Sequence, residues 1–492
     1  MNAPTRPENL APFGEDYGPL LTGPFAPLSD ESTLTDLPLL KGAIPKDLNG
    51  IYMRAGPNAR YAPQGRYHPF DGDGMVHAAH FDKGKLTVRN RWVRTEGFQQ
   101  EDAAGRATHW GIRETLLGRD DKPLKDTGNT DLVAHAGKVL ALWYMSGEAW
   151  ELDPITLETL GRSQAIAQTG GKISAHAKVD EITEDLLFFD YGHDAPYMHY
   201  GVVGPDGALK HHVPIPLPGA RLPHDMAVTE HYSILHDLPV MHDPEAMALG
   251  RHKVVFRADL KSRFGVIPRY GKTEELRWFD FSPCFLYHVV NAWEDTDARG
   301  RWITMVGCRY MPVTRPDGSI DEQRTAKDIA ELVMHARLWR WRMNLDTGAS
   351  EEQCLDATHN LEFPSYNSAR TGRRTRYGYM VDHSDDVILQ WAGLRKCDLD
   401  TGATLSAWRD HASQSWYSEP WFAAADNPQS EDHGYVIAFQ WNAAEQRQTL
   451  DIFDARDLDQ GPVAQVLIPR HIPTGFHGCW FAASRLRAPA AA

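Results

Sequence analysis

The sequence predicts an all-β fold of the β-propeller kind, and two observations carry that expectation. Long amphipathic helical patterns are scarce, whereas short alternating or apolar runs closed by Gly, Asp and Pro recur along all 492 residues. Turns of one kind, an apolar residue followed by Asp and a Gly-, Thr- or Leu-bearing corner, also fall at a near-constant interval. Asp153, Asp206 and Asp259 are 53 residues apart twice, and Asp346, Asp400 and Asp454 are 54 apart twice. A period of about fifty residues with several strands per unit is the signature of propeller blades. Asp is a common turn residue, so one equal spacing means little; four favour the repeat.

Taken in chain order, residues 1–30 are Pro-rich and predict a strap on the outside of the body. Asp82 marks an early blade, followed by the alternating strand Lys85–Trp92. Segment 98–127, charged and Gly-containing, reads as an insertion over one face. The most apolar run, Val139–Met145, is seven residues long, far short of the roughly twenty that span a bilayer. The 87-residue interval from Asp259 to Asp346 leaves room for a blade and an insertion at 313–334, where Asp321–Met334 is the best helical candidate. Arg337–Met343 and Tyr435–Trp441 read as further strands. Residues 1–492 thus predict a single propeller domain with a helical and loop cap over one face, where loops build binding sites.

Composition narrows the function. Lys and Arg number 51 against 66 Asp and Glu, a formal charge of −15, which argues against a nucleic-acid binder. Two basic stretches, Arg337–Arg342 and Arg370–Arg376, are the exceptions; in the first, alternation puts Trp339 and Trp341 on one face and Arg340 and Arg342 on the other, as in any strand. Five cysteines form no C-x-x-C pair, so reduced thiols are expected. The N-terminus lacks a charged segment followed by an apolar core. A cytoplasmic location without a transmembrane segment is the expectation, with at most weak peripheral membrane contact: the stretch 235–253 is interrupted by charge and too mixed for deep insertion.

Residues at equivalent phases of successive blades converge on a propeller's axis. Reading 16–29 residues past each turn Asp gives His176, His224, His288, Glu362, Glu419 and His477. Singly, each His is more simply a surface or hydrogen-bonded core residue. As a set, four neutral imidazoles suit a borderline divalent metal such as Fe(II), and two carboxylates nearby suit the task of accepting the other ring N–H of a ligand. No G-x-S-x-G, H-E-x-x-H, Walker or G-x-G-x-x-G motif is present.

The order of motifs completes the picture. GAIPKDLNGIYMRAGPNARY at 42–61, HPFDGDGMVHAAHF at 68–81 and NTDLVAHAGKVLALW at 129–143 are followed by SAHAKVD, PHDMAVTEHYSI, HVVNAWE, EFPSYN, SEPWF and PRHIPTGFHGCW. Across nearly its whole length the chain resembles the carotenoid cleavage oxygenase family. The resemblance implies a seven-bladed propeller with a helical cap and a central non-haem Fe(II) on His176, His224, His288 and His477. It implies Glu362 and Glu419 behind two of those ligands, and Thr130 beside the open sixth position. The family's third such glutamate does not carry over: Tyr144-Met145 stands there, and Glu148 is close but out of register. The implied activity is cleavage of a conjugated C=C bond with O2 into two aldehydes or ketones, the protein positioning an apolar alkene and excluding water. Trp143, Tyr144, Met145, Trp150, Trp480 and Phe481 are candidates for the pocket. The substrate expected is an apocarotenoid or a phenylpropene, vinylphenol or stilbene. An isomerase on the same iron site and a non-catalytic interaction propeller are the alternatives.

Overall fold

A computed structural model describes residues 18–115, 124–383, 389–409 and 415–486. Among them the strands form four four-stranded sheets, one of five, one of ten and a separate two-stranded hairpin; they group into seven four-stranded antiparallel units with a few additional edge and linking strands, which correspond to the blades of the expected propeller. The second blade is built from Asp131–His135, Lys138–Leu142, Trp150–Leu152 and Thr159–Arg162, and the third from Lys178–Val179, Leu186–Tyr191, Met198–Val203 and Leu209–Pro214. The fourth uses Ala227–Val228, Tyr232–Asp237, Ser262–Pro268 and Arg277–Phe281; the fifth, the longest, uses Phe285–Asp297, Gly300–Tyr310, Ala336–Asn344 and Ser350–Asp356. The sixth (Leu361–Ser365, Tyr377–His383, Trp391–Asp398, Thr404–Arg409) and seventh (Trp421–Ala424, Gly434–Asn442, Arg447–Asp454, Pro462–Ile468) share one continuous sheet through Ser415–Tyr417. The first blade is composite. Its strands Gly50–Pro57, Gly74–Asp82 and Lys85–Trp92 receive their innermost member, Gly478–Ala482, from the other end of the chain, with Arg54 opposite Gly478 and Gly50 opposite Ala482.

Middle strands are covered on both faces by neighbouring blades, so they are buried throughout rather than alternating: all six residues of Leu186–Tyr191 are buried. Outermost strands such as Leu209–Pro214 and Ser350–Asp356 are mostly half-buried, with two exposed residues in each. The marker Asp residues work through turn chemistry. Asp153 Oδ1 accepts the amides of Ile155 and Thr156 (2.9 and 2.6 Å), and Asp206 and Asp454 accept those of Ala208 and Arg456. Asp82, Asp153, Asp206, Asp346, Asp400 and Asp454 all mark the corner between a blade's third and fourth strands. Asp259 does not. It lies between Val254–Phe256 and Ser262–Pro268, because the fourth blade carries an extra hairpin, Val240–His242 with Val254–Phe256, ahead of its third strand.

That hairpin, with helix α3 (Pro244–Ala248) at its tip, belongs to the cap. Helix α1 (Glu96–Ala104) falls in the expected 98–127 insertion, whose residues 116–123 lie outside the described residues. Helix α2 (Gln164–Ala167) is a single turn after the second blade. Helix α4 (Glu322–Ala330) falls in the 313–334 insertion, capped by Asp321, whose Oδ1 accepts the Arg324 amide. It is shorter than the expected 321–334 helix because Leu332 turns left-handed at φ 58°. It packs against Val254–Phe256. Of the expected strap at 1–30, residues 1–17 lie outside the described residues; Leu28 is held to the first blade by a two-way bond with Asn58.

The two basic stretches are spoken for inside the fold. Arg342 lies over Trp302 at 4.3 Å and reaches Asp297, while Arg370, Arg373, Arg374 and Arg376 pair with Glu431, Asp180, Asp400 and Asp398. All five cysteines are free. Among the described residues no helix is long and apolar enough to cross a membrane.

Candidate metal centre

The innermost strands begin close together, and each delivers a polar side chain there. In blade order these are Asp131, His176, His224, His288, Glu362, Glu419 and, closing the circle, His477. The four imidazoles each offer one ring nitrogen to a group whose atoms all lie within 4.8 Å of one another. Ring centroids are 4.8 Å apart for His176 and His224, 5.2 Å for His224 and His288, 4.6 Å for His288 and His477, and 4.5 Å for His477 and His176. All four are buried.

Local irregularity aims these side chains. His176 sits at φ +69°, a left-handed conformation rare for a non-glycine residue. Its amide donates to Asp131 Oδ2 at 2.8 Å, holding the backbone there. The register of the strand carrying His288 shifts between Leu286 and Val289, a bulge that re-aims a side chain at a strand end. The Val289 amide is fixed by Asp225 Oδ2 at 2.7 Å. A second shift follows Glu362, where Phe363 turns to φ +48°.

The ligand candidates differ in what stands behind them. His288 Nδ1 donates to Glu362 Oε2, and His477 Nδ1 donates to Glu419 Oε1 at 2.9 Å. Glu419 is itself held, its Oε2 accepting Trp421 Nε1 and the Gly478 amide, both at 2.7 Å. His224 Nδ1 is buried with no hydrogen-bond partner. Its ring is instead packed by Tyr144 at 4.4 Å and, edge to face, by Tyr287 at 5.1 Å. Glu148 does not reach it: that carboxylate faces Arg162, 3.5 Å away, because its amide is tied to Asp126. Between His176 Nδ1 and Asp131 Oδ2 the gap is 3.9 Å, too long for a hydrogen bond.

The electrostatics fit a cation at this point. Burial, reinforced by the neighbouring imidazoles, holds His176 well below the usual imidazole range, and burial does the same to His224 and His288. These rings are neutral and carry free lone pairs. His477 goes the other way: burial alone would lower it, but the Glu419 carboxylate outweighs that and raises it. Burial pushes Asp131 up to about 6 and Glu362 well above the ordinary carboxylate range. Buried carboxylates backing neutral imidazoles are a donor set that a divalent cation completes. His176 Nε2 and His288 Nε2, buried without a partner, are where its bonds would go.

Two cavities flank the imidazoles. The larger, about 1200 Å³, reaches His224 at its inner end among Phe70, Tyr144, Phe285 and Tyr287, and is roofed by α4 and the Val240–Phe256 hairpin. The smaller, about 140 Å³, touches His176, His288 and His477 from the other side. Of the expected pocket residues, Tyr144 and Met145 line the large cavity. Trp143, Trp150 and Phe481 are corrected to core. Trp143 Nε1 donates to the Phe70 carbonyl, while Trp150 and Phe481 pack in the apolar layer between the first two blades. Trp143 and Tyr144 follow the strand Lys138–Leu142 into a turn, and only Tyr144 of the pair lines the large cavity. Trp480 touches the small cavity and packs in the core. Thr130 is buried, its hydroxyl donating to Asn129 and its carbonyl accepting the His477 amide. Sequence reading missed Asp131, Asp225, Phe70, Phe285 and Tyr287; the first two directly follow Thr130 and His224, and the last two precede His288.

Comparison with known proteins agrees with this geometry. The family model described as Retinal pigment epithelial membrane protein matches residues 25–482. A carotenoid 9,10(9',10')-cleavage dioxygenase of Crocus sativus is 33% identical over 497 aligned residues, covering 93% of this chain and 88% of the relative. An isoeugenol monooxygenase of Pseudomonas nitroreducens is 31% identical, covering 94% and 98%. The crystal structure of Pseudomonas brassicacearum lignostilbene dioxygenase superposes with a TM-score of 0.82 at 29% identity, over 95% of this chain and 99% of that one. Sequence, fold and the converging imidazoles therefore place this chain in the carotenoid cleavage oxygenase family, as an oxygenase.

Proposed function

We propose that this protein is a non-haem Fe(II)-dependent dioxygenase that cleaves a conjugated C=C bond with O2 into two carbonyl products. The observation that carries the reading is the meeting of four buried imidazoles with the inner end of an aromatic-walled cavity through His224. His176, His224, His288 and His477 would hold the metal; Glu362 and Glu419 fix the tautomers of two of them. When bound, Fe(II) supplies the activation of O2. The chain's own part is positional. Phe70, Tyr144, Phe285 and Tyr287 hold a flat conjugated substrate against that end and keep water from it. Burial pushes the hydroxyls of Tyr144 and Tyr287 up, so both stay protonated and neither serves as a base.

The rim of the same cavity is polar, with Arg66, Arg113, Arg251 and Lys253 among its lining. That favours an alkene with an oxygenated end, a phenylpropene, vinylphenol or stilbene, over a bare hydrocarbon polyene; the isoeugenol and lignostilbene relatives support the same class. The test is aldehyde production by the Fe(II)-loaded protein, followed by chromatography, on isoeugenol, 4-vinylguaiacol, resveratrol and an apocarotenal. An O2-dependent aldehyde from one of the first three is the expected result. Cleavage of the apocarotenal alone would move the substrate class to apocarotenoids. A rearranged product without O2 uptake would replace oxygenase by isomerase chemistry, and a chain that retains no metal would leave an interaction propeller.

A further inference from the structure

A second group of metal-type side chains stands on the second, third and fourth strands of the third blade. Asp190, His199 and His212 come from three adjacent strands. Asp190 is paired directly with His199, and His212 is paired with Gly201, two residues further along the same strand. The side-chain period of two therefore puts all three on one face of the sheet. Their ligand atoms lie within 4.8 Å of one another, and the two imidazole rings are 5.1 Å apart at 24° between planes.

We propose that Asp190, His199 and His212 form a separate binding site for a divalent cation of borderline softness, with Zn(II) as its probe. Three features argue for a ligand. Asp190 is buried and its two hydrogen bonds, from the His199 amide and from His199 Nδ1 at 3.0 Å each, both fall on Oδ1. With Nδ1–H donated, His199 keeps its lone pair on Nε2. His212 Nε2 is buried and has no hydrogen-bond partner, so its lone pair is free to bind an ion or a water. Two imidazoles and one carboxylate are a donor set for Zn(II) and its neighbours in the series, and the partial exposure of His199 leaves room for water to complete the coordination. Such an ion would tie the edge strand Leu209–Pro214 to the two strands inside it.

The site uses none of the residues of the central cluster, so it stands or falls independently of the proposed oxygenase chemistry. The experiment is dialysis of the full chain against micromolar Zn(II), with bound metal counted by atomic emission. The native protein is expected to hold one equivalent more than the His212→Ala variant, and its thermal midpoint to rise with Zn(II) where that of the variant rises less. Equal metal counts in the two folded proteins overturn the proposal. If His212→Ala does not fold, Asp190→Asn keeps an acceptor for the His199 amide and gives the same comparison, with equal counts again overturning it.

Discussion

The central cluster has two unlike halves. On one side His288 and His477 are backed by Glu362 and Glu419, carboxylates that fix each ring by a hydrogen bond. On the other, His176 and His224 have no such partner. His176 is aimed by a left-handed backbone locked through Asp131, and His224 by the rings of Tyr144 and Tyr287. The difference teaches that orientation and charge are separable. Any rigid contact can point an imidazole, but an acceptor for its other N–H, such as a carboxylate, also makes it a stronger donor. The carboxylate-backed pair should therefore bind metal more tightly than the pair held by packing.

The largest effect is expected from the ligands themselves. His288→Ala and His477→Ala should lose bound metal and all aldehyde formation while circular dichroism stays native. His224→Ala should retain the most metal of the four single variants; if it loses as much as His477→Ala, the two halves are equivalent and the contrast fails. Next come Glu362→Gln and Glu419→Gln, each expected to weaken metal affinity or turnover roughly 10–100-fold. Turnover and affinity unchanged in both would reduce these residues to packing. Smaller again, Tyr144→Phe keeps the ring against His224 and should leave metal affinity within about threefold. A tenfold loss there would mean that the hydroxyl, not the ring, positions the ligand.

The smallest effect at neutral pH belongs to a histidine outside the cluster. His236 is buried against Phe264 with neither ring nitrogen partnered, and burial drives it down to about 3. Its neutral form costs nothing above the unfolded value of about 6.5. As pH falls from there toward 3 the unfolded chain takes up a proton that the folded one refuses, and stability is lost. His236→Leu should leave the urea midpoint at pH 8 nearly unchanged and raise it at pH 5. No gain at pH 5 would assign the acid sensitivity to the other histidines that burial lowers, among them His68, His77 and His242.

How much of the fold and the site is legible in the sequence depends on whether a feature has a residue type of its own. The blades announce themselves because their third corner needs a residue that caps its own turn, and Asp does that. The imidazoles and Glu362 and Glu419 follow, since they begin or immediately precede innermost strands that come round at the same phase. Asp259 misleads because a hairpin inserted ahead of the third strand happens to end in a turn of the same composition. The partner of His224 is illegible for a different reason. A missing glutamate shows only an absence, and aromatic packing is carried by residues as common as Tyr144 and Tyr287. Trp143, Trp150 and Phe481 go astray because an aromatic in a propeller strand has two destinations, the axis and the seam between blades, and composition does not separate them.

The closing of the first blade by Gly478–Ala482 has a consequence for how the protein comes into being. On the ribosome, the strand that receives that segment, Gly50–Pro57, is made early and waits with an open edge while more than four hundred residues follow. His477 arrives with the closing strand, so a nascent chain holds at most three of the four imidazoles until its synthesis is almost done. On the proposed reading metal loading would report completion: a chain stopped short of residue 477 lacks both the latch and the last of the four imidazoles.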